Sequence, residues 1–137
     1  MDSCIFCKII RKEIPAQVVY DNDLTMAFLD ITPVNPGHVL VVPKAHYDDL
    51  LTTPEETLRE VMAVAQKIAK AAVKGLHAPA FNVAVNNGRA AGQVVSHMHL
   101  HVIPRFEGDG YELWHGKPYE EGEAEKAAEA IRACLTA

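Results

Sequence analysis

The segment His97-Met98-His99-Leu100-His101-Val102 constrains this chain more than any other stretch, because its polar and apolar residues alternate strictly. A period of two belongs to an extended strand, where residues two apart share a face and lie roughly 6.6 Å apart. The segment therefore puts three imidazoles on one side of a sheet and three apolar groups on the other. A sheet with such an apolar face needs a second layer over it, and the clearest helix in the sequence lies upstream. Thr53 is placed to cap that helix, Pro54 suits its first turn, and Glu55 and Glu56 favour the positive end of the dipole. Glu56 stands three residues after Thr53 and completes a capping box. Leu58, Val61, Met62, Ala65, Ile68, Ala69 and Ala72 recur at helical spacing, and Gly75 is a natural terminator.

The rest of the chain reads as short strands. Residues 18–22 and 24–30 form two strands joined by a tight turn at Asn22-Asp23, and 38–43 is an apolar, β-branched run suited to burial on both faces. Residues 81–87 form a strand before the loop 88–93, and 97–105 form the histidine strand. A short helix over 4–11, with Ile5, Ile9 and Ile10 partly buried, opens the chain, and an amphipathic helix over about 123–135 closes it. Cys134 is expected in the core. The fold expected is α+β: a mainly antiparallel sheet, one long central helix and a C-terminal helix, in a single domain over 1–137.

Composition excludes some classes. The formal net charge is −5 and no run of Lys and Arg occurs, so the chain does not read as a nucleic-acid binder working by counterion release. No apolar stretch approaches the roughly 20 residues of a membrane helix, and the first 15 residues lack the plan of a signal peptide. Three cysteines, two of them a close Cys4-x-x-Cys7 pair, point to metal or thiol chemistry and not to a disulfide framework. A cytoplasmic protein is expected.

Three histidines within five residues carry the chemistry. The bland reading is a tolerated polar face on an edge strand; the others are metal binding, or acid–base and nucleophilic work near neutral pH. The stretch NNGRAAGQVVSHMHLHVIPR, preceded by LDITPVNPGHVLVVPKAH, closely resembles the histidine triad (HIT) family of nucleotide hydrolases and transferases. The HVIPR and later GDG segments look more like its bacterial and Fhit-like branches than its animal Hint branch. The resemblance runs from Cys4 to about Arg105 and implies a HIT-like fold, a purine nucleotide or nucleotide conjugate as substrate, and a homodimer.

The resemblance also implies roles. His99 would attack the α-phosphorus and carry a nucleotidyl intermediate, splitting one displacement into two. His101 would protonate the leaving group, and His38 would close the polar cluster around the phosphate. Gln93 and the loop amides at Gly92 would hold phosphoryl oxygens, Asn86 would orient a substrate oxygen, Asp30 would accept both ribose hydroxyls, and Ile31 would flank the base. Asp30 could instead begin the turn before Pro33, and Asn86 could serve the turn with Asn87 and Gly88. Val94 departs from the family, which often has a hydroxyl there.

Related proteins pair two cysteines with two histidines on a structural zinc. The matching set here is Cys4, Cys7, His46 and His97, with no catalytic metal expected; the alternative leaves both cysteines as ordinary helix residues. His77 and His115 read as surface residues. Trp114 could cross a dimer interface, cover the nucleotide or join the core. Two other readings compete with the covalent one. One is a metal-dependent hydrolase with His97, His99 and His101 as ligands. The other is a nucleotide-binding scaffold with little turnover.

Overall fold

In a computed structural model, residues 3–135 are described; positions 1–2 and 136–137, the ends of the expected domain, lie outside the described residues. The elements are α1 (Ile5–Ile10), β1 (Val18–Asp21), β2 (Thr25–Leu29), β3 (Val39–Pro43), α2 (Glu55–Leu76), β4 (Ala80–Ala84), β5 (Leu100–Arg105) and α3 (Glu123–Cys134). The strands form one sheet in the order β1-β2-β3-β5-β4, antiparallel at every pairing. This is the α+β architecture the sequence implies.

Two apolar layers sandwich the sheet, and their difference in size creates the site. On one face α2 packs Val61, Val64, Ala65, Ile68 and Ala69 against Ala27, Val39, Val41, Met98, Leu100 and Val102. On the other, Phe6 and Ile9 of α1 pack against Met26, Phe28, Leu40 and Val42. Alternate residues of β2 and β3 serve opposite layers, so the expectation of a doubly buried strand at 38–43 is met. A six-residue helix covers far less sheet than one of 22 residues. The histidines occupy the same face at the end of α1, where Phe6 packs against His97 and His99.

Several local expectations need correction. The histidine strand was expected from 97, but its ladder starts at Leu100, and the Met98 amide donates instead to the Tyr47 carbonyl. The alternation nevertheless holds, with Met98, Leu100 and Val102 under α2. Thr53 does not cap α2: its hydroxyl donates to the Asp49 carbonyl, a local competitor, and Pro54 stands at the cap position without a side-chain bond. Gly75 lies inside the helix, and His77 takes the left-handed terminal position at φ 55°. Met62 and Ile5 are exposed while Val64 is buried. α3 buries none of its residues, so Cys134 is on the surface, and Trp114, 96% exposed, is not a core residue of its own chain. Among the described residues, no helix is long and apolar enough to cross a membrane.

Candidate active site and metal centre

Register brings the first cluster together. Leu40 of β3 pairs with His101 of β5, and His38, two residues before Leu40, is a diagonal neighbour on the same face. The turn that delivers His38 depends on Gly37, whose φ of +91° suits glycine and whose missing Cβ would stand 2.2 Å from Leu76 Cδ1. Asn35 anchors the same turn, donating to the Pro104 carbonyl and to Asp109, which in turn takes a two-pronged ion pair from Arg105.

Hydrogen bonds to the backbone fix which nitrogen of each imidazole carries its proton. The Val34 N–H can only donate, so His38 Nδ1 accepts from it at 3.1 Å and His38 Nε2 bears the hydrogen. That hydrogen points at His101 Nδ1, 2.9 Å away, which leaves the neutral His101 ring protonated at Nε2. His99 Nδ1 faces the His97 carbonyl at 2.7 Å and must donate to it. The lone pair of His99 Nε2 is thereby unprotonated, beside a neighbour that carries a proton. The His99 and His101 rings stand with centroids 5.0 Å apart.

Burial pushes His38, His97 and His99 below the ordinary histidine range, despite the nearby Asp30 charge at His38 and His99. His101 is driven down to about 4, by burial first and then by repulsion from His99 and His38. A sign follows for stability. The unfolded histidines protonate near 6.5 while the folded ones resist, so the unfolded state binds more protons below that pH. Stability should fall as pH drops from about 6.5 towards 4, with His101 alone contributing up to roughly 3 kcal/mol. Urea midpoints measured across that window should decline, and the decline should shrink in His101→Asn. Midpoints that stay level in the parent protein would contradict the burial described.

Asp30 sits at the rim. Its Oδ1 accepts from the Thr32 amide at 2.9 Å and the Thr32 hydroxyl at 3.2 Å, which is the turn role considered above. Its Oδ2 lies 3.7 Å from His38 Nε2. Ile31 beside it is 90% exposed.

The loop 88–96 folds around Gln93. Its amide oxygen accepts from the Gly88 N–H, and its NH₂ donates to the carbonyls of Asp48 and Val95. Three segments are tied by one side chain, so Gln93 shapes the loop and does not present a free amide. The Gly92 amide donates to the Arg89 carbonyl, and Asn86 Nδ2 lies over Gly92, 4.0 Å from where a Cβ would stand. Asn87, not Asn86, bonds the neighbouring loop, through Leu50 N–H. Val94 is 92% exposed on the outer side of this loop.

Cys4, Cys7, His46 and His97 converge separately, with ligand atoms all within 4.8 Å of one another. His97 Nε2 donates to the Pro43 carbonyl at 2.8 Å, and His46 Nε2 to Asp48 at 2.9 Å, so both Nδ1 atoms turn bare lone pairs inward. They face each other at 3.1 Å, with Cys7 Sγ 3.3 and 3.6 Å from them and Cys4 Sγ 3.5 Å from His97. Zn–N bonds near 2.0 Å and Zn–S bonds near 2.3 Å at tetrahedral angles give edges of about 3.3 to 3.8 Å, close to these spacings. Two inward imidazole lone pairs and two thiols, which bind metal as thiolates, make a donor set suited to a cation. A second trio, Asp30, His38 and His101, is as compact. There, however, His38 presents its N–H inward, because Val34 holds its other nitrogen.

The three triad rings thus have three different partners: the cysteine cluster, the His97 carbonyl and His38. They do not share a ligand point, which counts against the metal-dependent hydrolase with all three as ligands. Two residues of this region were not singled out from the sequence. Asp48, which orients His46, was signalled by its His-x-Asp spacing. Phe6, between the cysteines, stands against both His97 and His99; its place inside the Cys-x-x-Cys was the only hint. His77 and His115 are exposed, as expected.

An antiparallel sheet bearing a row of imidazoles with fixed tautomers, one bare nitrogen at its centre, defines an α+β protein of the histidine-centred kind. The HIT domain matches residues 11–108. An adenylylsulfatase of Arabidopsis thaliana is 44% identical over 108 residues, 79% of this chain and 55% of that protein. The adenosine 5'-monophosphoramidase of Saccharomyces cerevisiae is 43% identical over 103 residues, 75% of this chain and 63% of that one. The crystal structure of a HIT family member from Bacillus subtilis superposes with a TM-score of 0.90 at 35% identity, covering 98% of this chain and 99% of the other. A zinc-bound histidine triad protein from Mycobacterium smegmatis gives 0.78 at 42% identity, covering 96% and 92%. The chain belongs to the HIT family.

Proposed function

We propose that this chain is a nucleotide hydrolase that cleaves a phosphoanhydride or phosphoramidate bond at the α-phosphorus through a nucleotidyl intermediate on His99. The observation that carries the reading is the bare Nε2 of His99, kept so by the 2.7 Å bond from its Nδ1 to the His97 carbonyl. The Nε2 lone pair forms the new bond to phosphorus, and the bond to the bridging oxygen or nitrogen breaks. The His101 Nε2–H donates a hydrogen bond to the leaving oxygen or nitrogen, which takes its proton from solvent water. Water then attacks the phosphorus, the phosphorus–nitrogen bond breaks with its electron pair returning to His99 Nε2, and the water's proton is released to solvent. The adenylylsulfatase and phosphoramidase relatives both act on adenine nucleotides by name, which supports a purine nucleotide or conjugate here. Mixing with a panel of adenosine phosphoramidates, dinucleoside polyphosphates and adenylyl sulfate, followed by quenching in base, tests the reading. A phosphoramidate-linked nucleotide on His99 is the expected product, and turnover without any such species counts against it.

In this reading the Gly92 loop borders the phosphate, Gln93 acts by holding that loop, and Asn86 orients a substrate oxygen. Asp30 offers Oδ2 to the ribose while Oδ1 keeps its turn. One charged hydrogen bond is worth roughly 1.5 to 3 kcal/mol, so Asp30→Ala should weaken ribonucleotide binding about tenfold or more. Binding of 2′-deoxyribonucleotides, weaker from the start, should barely change. A mutant that still discriminates the two sugars as the parent does returns Asp30 to its turn role alone.

The reading also includes a zinc ion on Cys4, Cys7, His46 and His97, supported by the inward lone pairs and the zinc-bound relative. The ion would cross-link α1 to the segments before α2 and β5 and take no part in the bond changes. Free thiols at such a site suit a reducing compartment, in keeping with the cytoplasm. A homodimer is supported by the apolar groove of Met62, Val73, Phe81 and Val83 between α2 and the edge strand β4, and by the exposed face of α3.

A further inference from the structure

Phe6 stands between the two cysteines, on a helix of six residues. So short a helix does not hold itself together in water, and its placement rests on what flanks it. The Cys4 sulfur accepts from the Cys7 amide at 3.4 Å, and both sulfurs face the His46–His97 pair. The ring between them is 6% exposed and meets three others edge to face: Phe28 at 5.4 Å, His97 at 5.9 Å and His99 at 5.1 Å. The His99 contact is the closest of these and the most nearly perpendicular, at 87°.

His99 needs such a neighbour. Its single ring bond, from Nδ1 to the His97 carbonyl, fixes the tautomer but allows the ring to swing about that contact. His101 bounds the ring on one side at 5.0 Å, and Phe6 bounds it on another. Displacing a reacting atom by about 1 Å can cost on the order of a hundredfold in rate, so the wall that stops the swing matters as much as the bond that sets the proton.

We propose that Phe6 is a positioning residue for His99, held in place by the metal knuckle of Cys4, Cys7, His46 and His97, so that loading of the knuckle reaches the chemistry through one aromatic ring. The catalytic part of this inference rests on the nucleophilic reading of His99; the placement of the ring does not. Acting through the His99 ring, Phe6 should show its effect in kcat more than in KM.

The test compares zinc-loaded parent, Phe6→Ala and Phe6→Leu proteins, using an adenosine phosphoramidate for turnover and ¹⁵N-histidine labelling to observe the His99 ring at pH 8. Phe6→Ala should lower kcat about tenfold to a hundredfold with KM within about threefold. Its His99 nitrogens should move from the pure Nδ1–H pattern towards a broadened mixture. Phe6→Leu, which keeps an apolar wall, should recover part of both and carries the comparison if the alanine variant does not fold. Chelating the parent should reproduce the His99 spectrum of Phe6→Ala, and chelating Phe6→Ala should add little, as expected for two changes acting through one contact. A parent-like His99 spectrum in folded variants overturns the proposal, as do additive effects of chelation and substitution. Should His99→Ala retain turnover, the nucleophilic reading fails while the spectra still decide the role of Phe6.

Discussion

His99→Ala protein should lose at least about a thousandfold in turnover and bind nucleotide within a few-fold of the parent. The asymmetry follows from what the ring does. A covalent nucleophile is present in every productive encounter, and removing it leaves only positioning and oxyanion contacts to act on water. In the proposed reading binding relies on other groups, notably the Asp30–Ile31 rim and the loop around Gly92. The substitution opens a hole but leaves no donor or acceptor newly buried without a partner, other than the His97 carbonyl that Nδ1 served. His99→Gly adds a sharper control, because the vacated space can admit free imidazole. Partial recovery of turnover by added imidazole, absent in the parent, would tie the loss to the missing nucleophile and not to distortion. Turnover within tenfold of the parent in a folded His99→Ala protein would end the covalent mechanism.

The alternation at 97–102 announced its own outcome because it reflects a requirement, not a propensity: Met98, Leu100 and Val102 had to find an apolar layer, and α2 is that layer. It survived even though the ladder begins only at Leu100. Local signals fared worse where a neighbour competed for the same group. Thr53 had the right spacing for a cap, yet the Asp49 carbonyl lay closer to its hydroxyl. Cys134 lies on an amphipathic helix, but amphipathicity says only that a partner is wanted, and α3 finds none within its own chain. The roles suggested for the histidines came from the resemblance. What made them chemically definite was illegible in the sequence, because the tautomers are set by backbone groups of Val34, Pro43 and His97 brought together by folding. Gln93 shows the reverse case: a residue at a suggestive position whose polar atoms are taken up by Gly88, Asp48 and Val95.

In the proposed reading Cys4, Cys7, His46 and His97 hold zinc, and emptying that site should lower stability substantially without touching the main core. Two bare imidazole nitrogens 3.1 Å apart repel as like dipoles, and the buried Cys7 thiol, pushed to higher pKa by burial first and then by Cys4, lies against both of them and against Cys4. A cation resolves all four groups at once. An ion that binds only the folded chain stabilises it by about 4 kcal/mol when its free concentration is a thousand times its dissociation constant. For a domain of this size each kcal/mol is worth roughly 3 to 5 °C, so chelation or Cys4→Ser with Cys7→Ser should lower Tm by about 10 °C or more. The loss should concentrate in α1, whose amides should exchange faster with solvent, while those of α2 and β3 remain protected. Elemental analysis of protein prepared with zinc should give about one ion per chain, lost in the double serine variant. Protein that takes up no zinc when it is supplied, or that loses one equivalent without any change in Tm or in α1 exchange, would show that the four residues are not a structural metal centre. An equal collapse of protection in α1 and α2 would be a different failure. It would mean that the knuckle supports the whole fold, and that its link to His99 is not the local one drawn through Phe6.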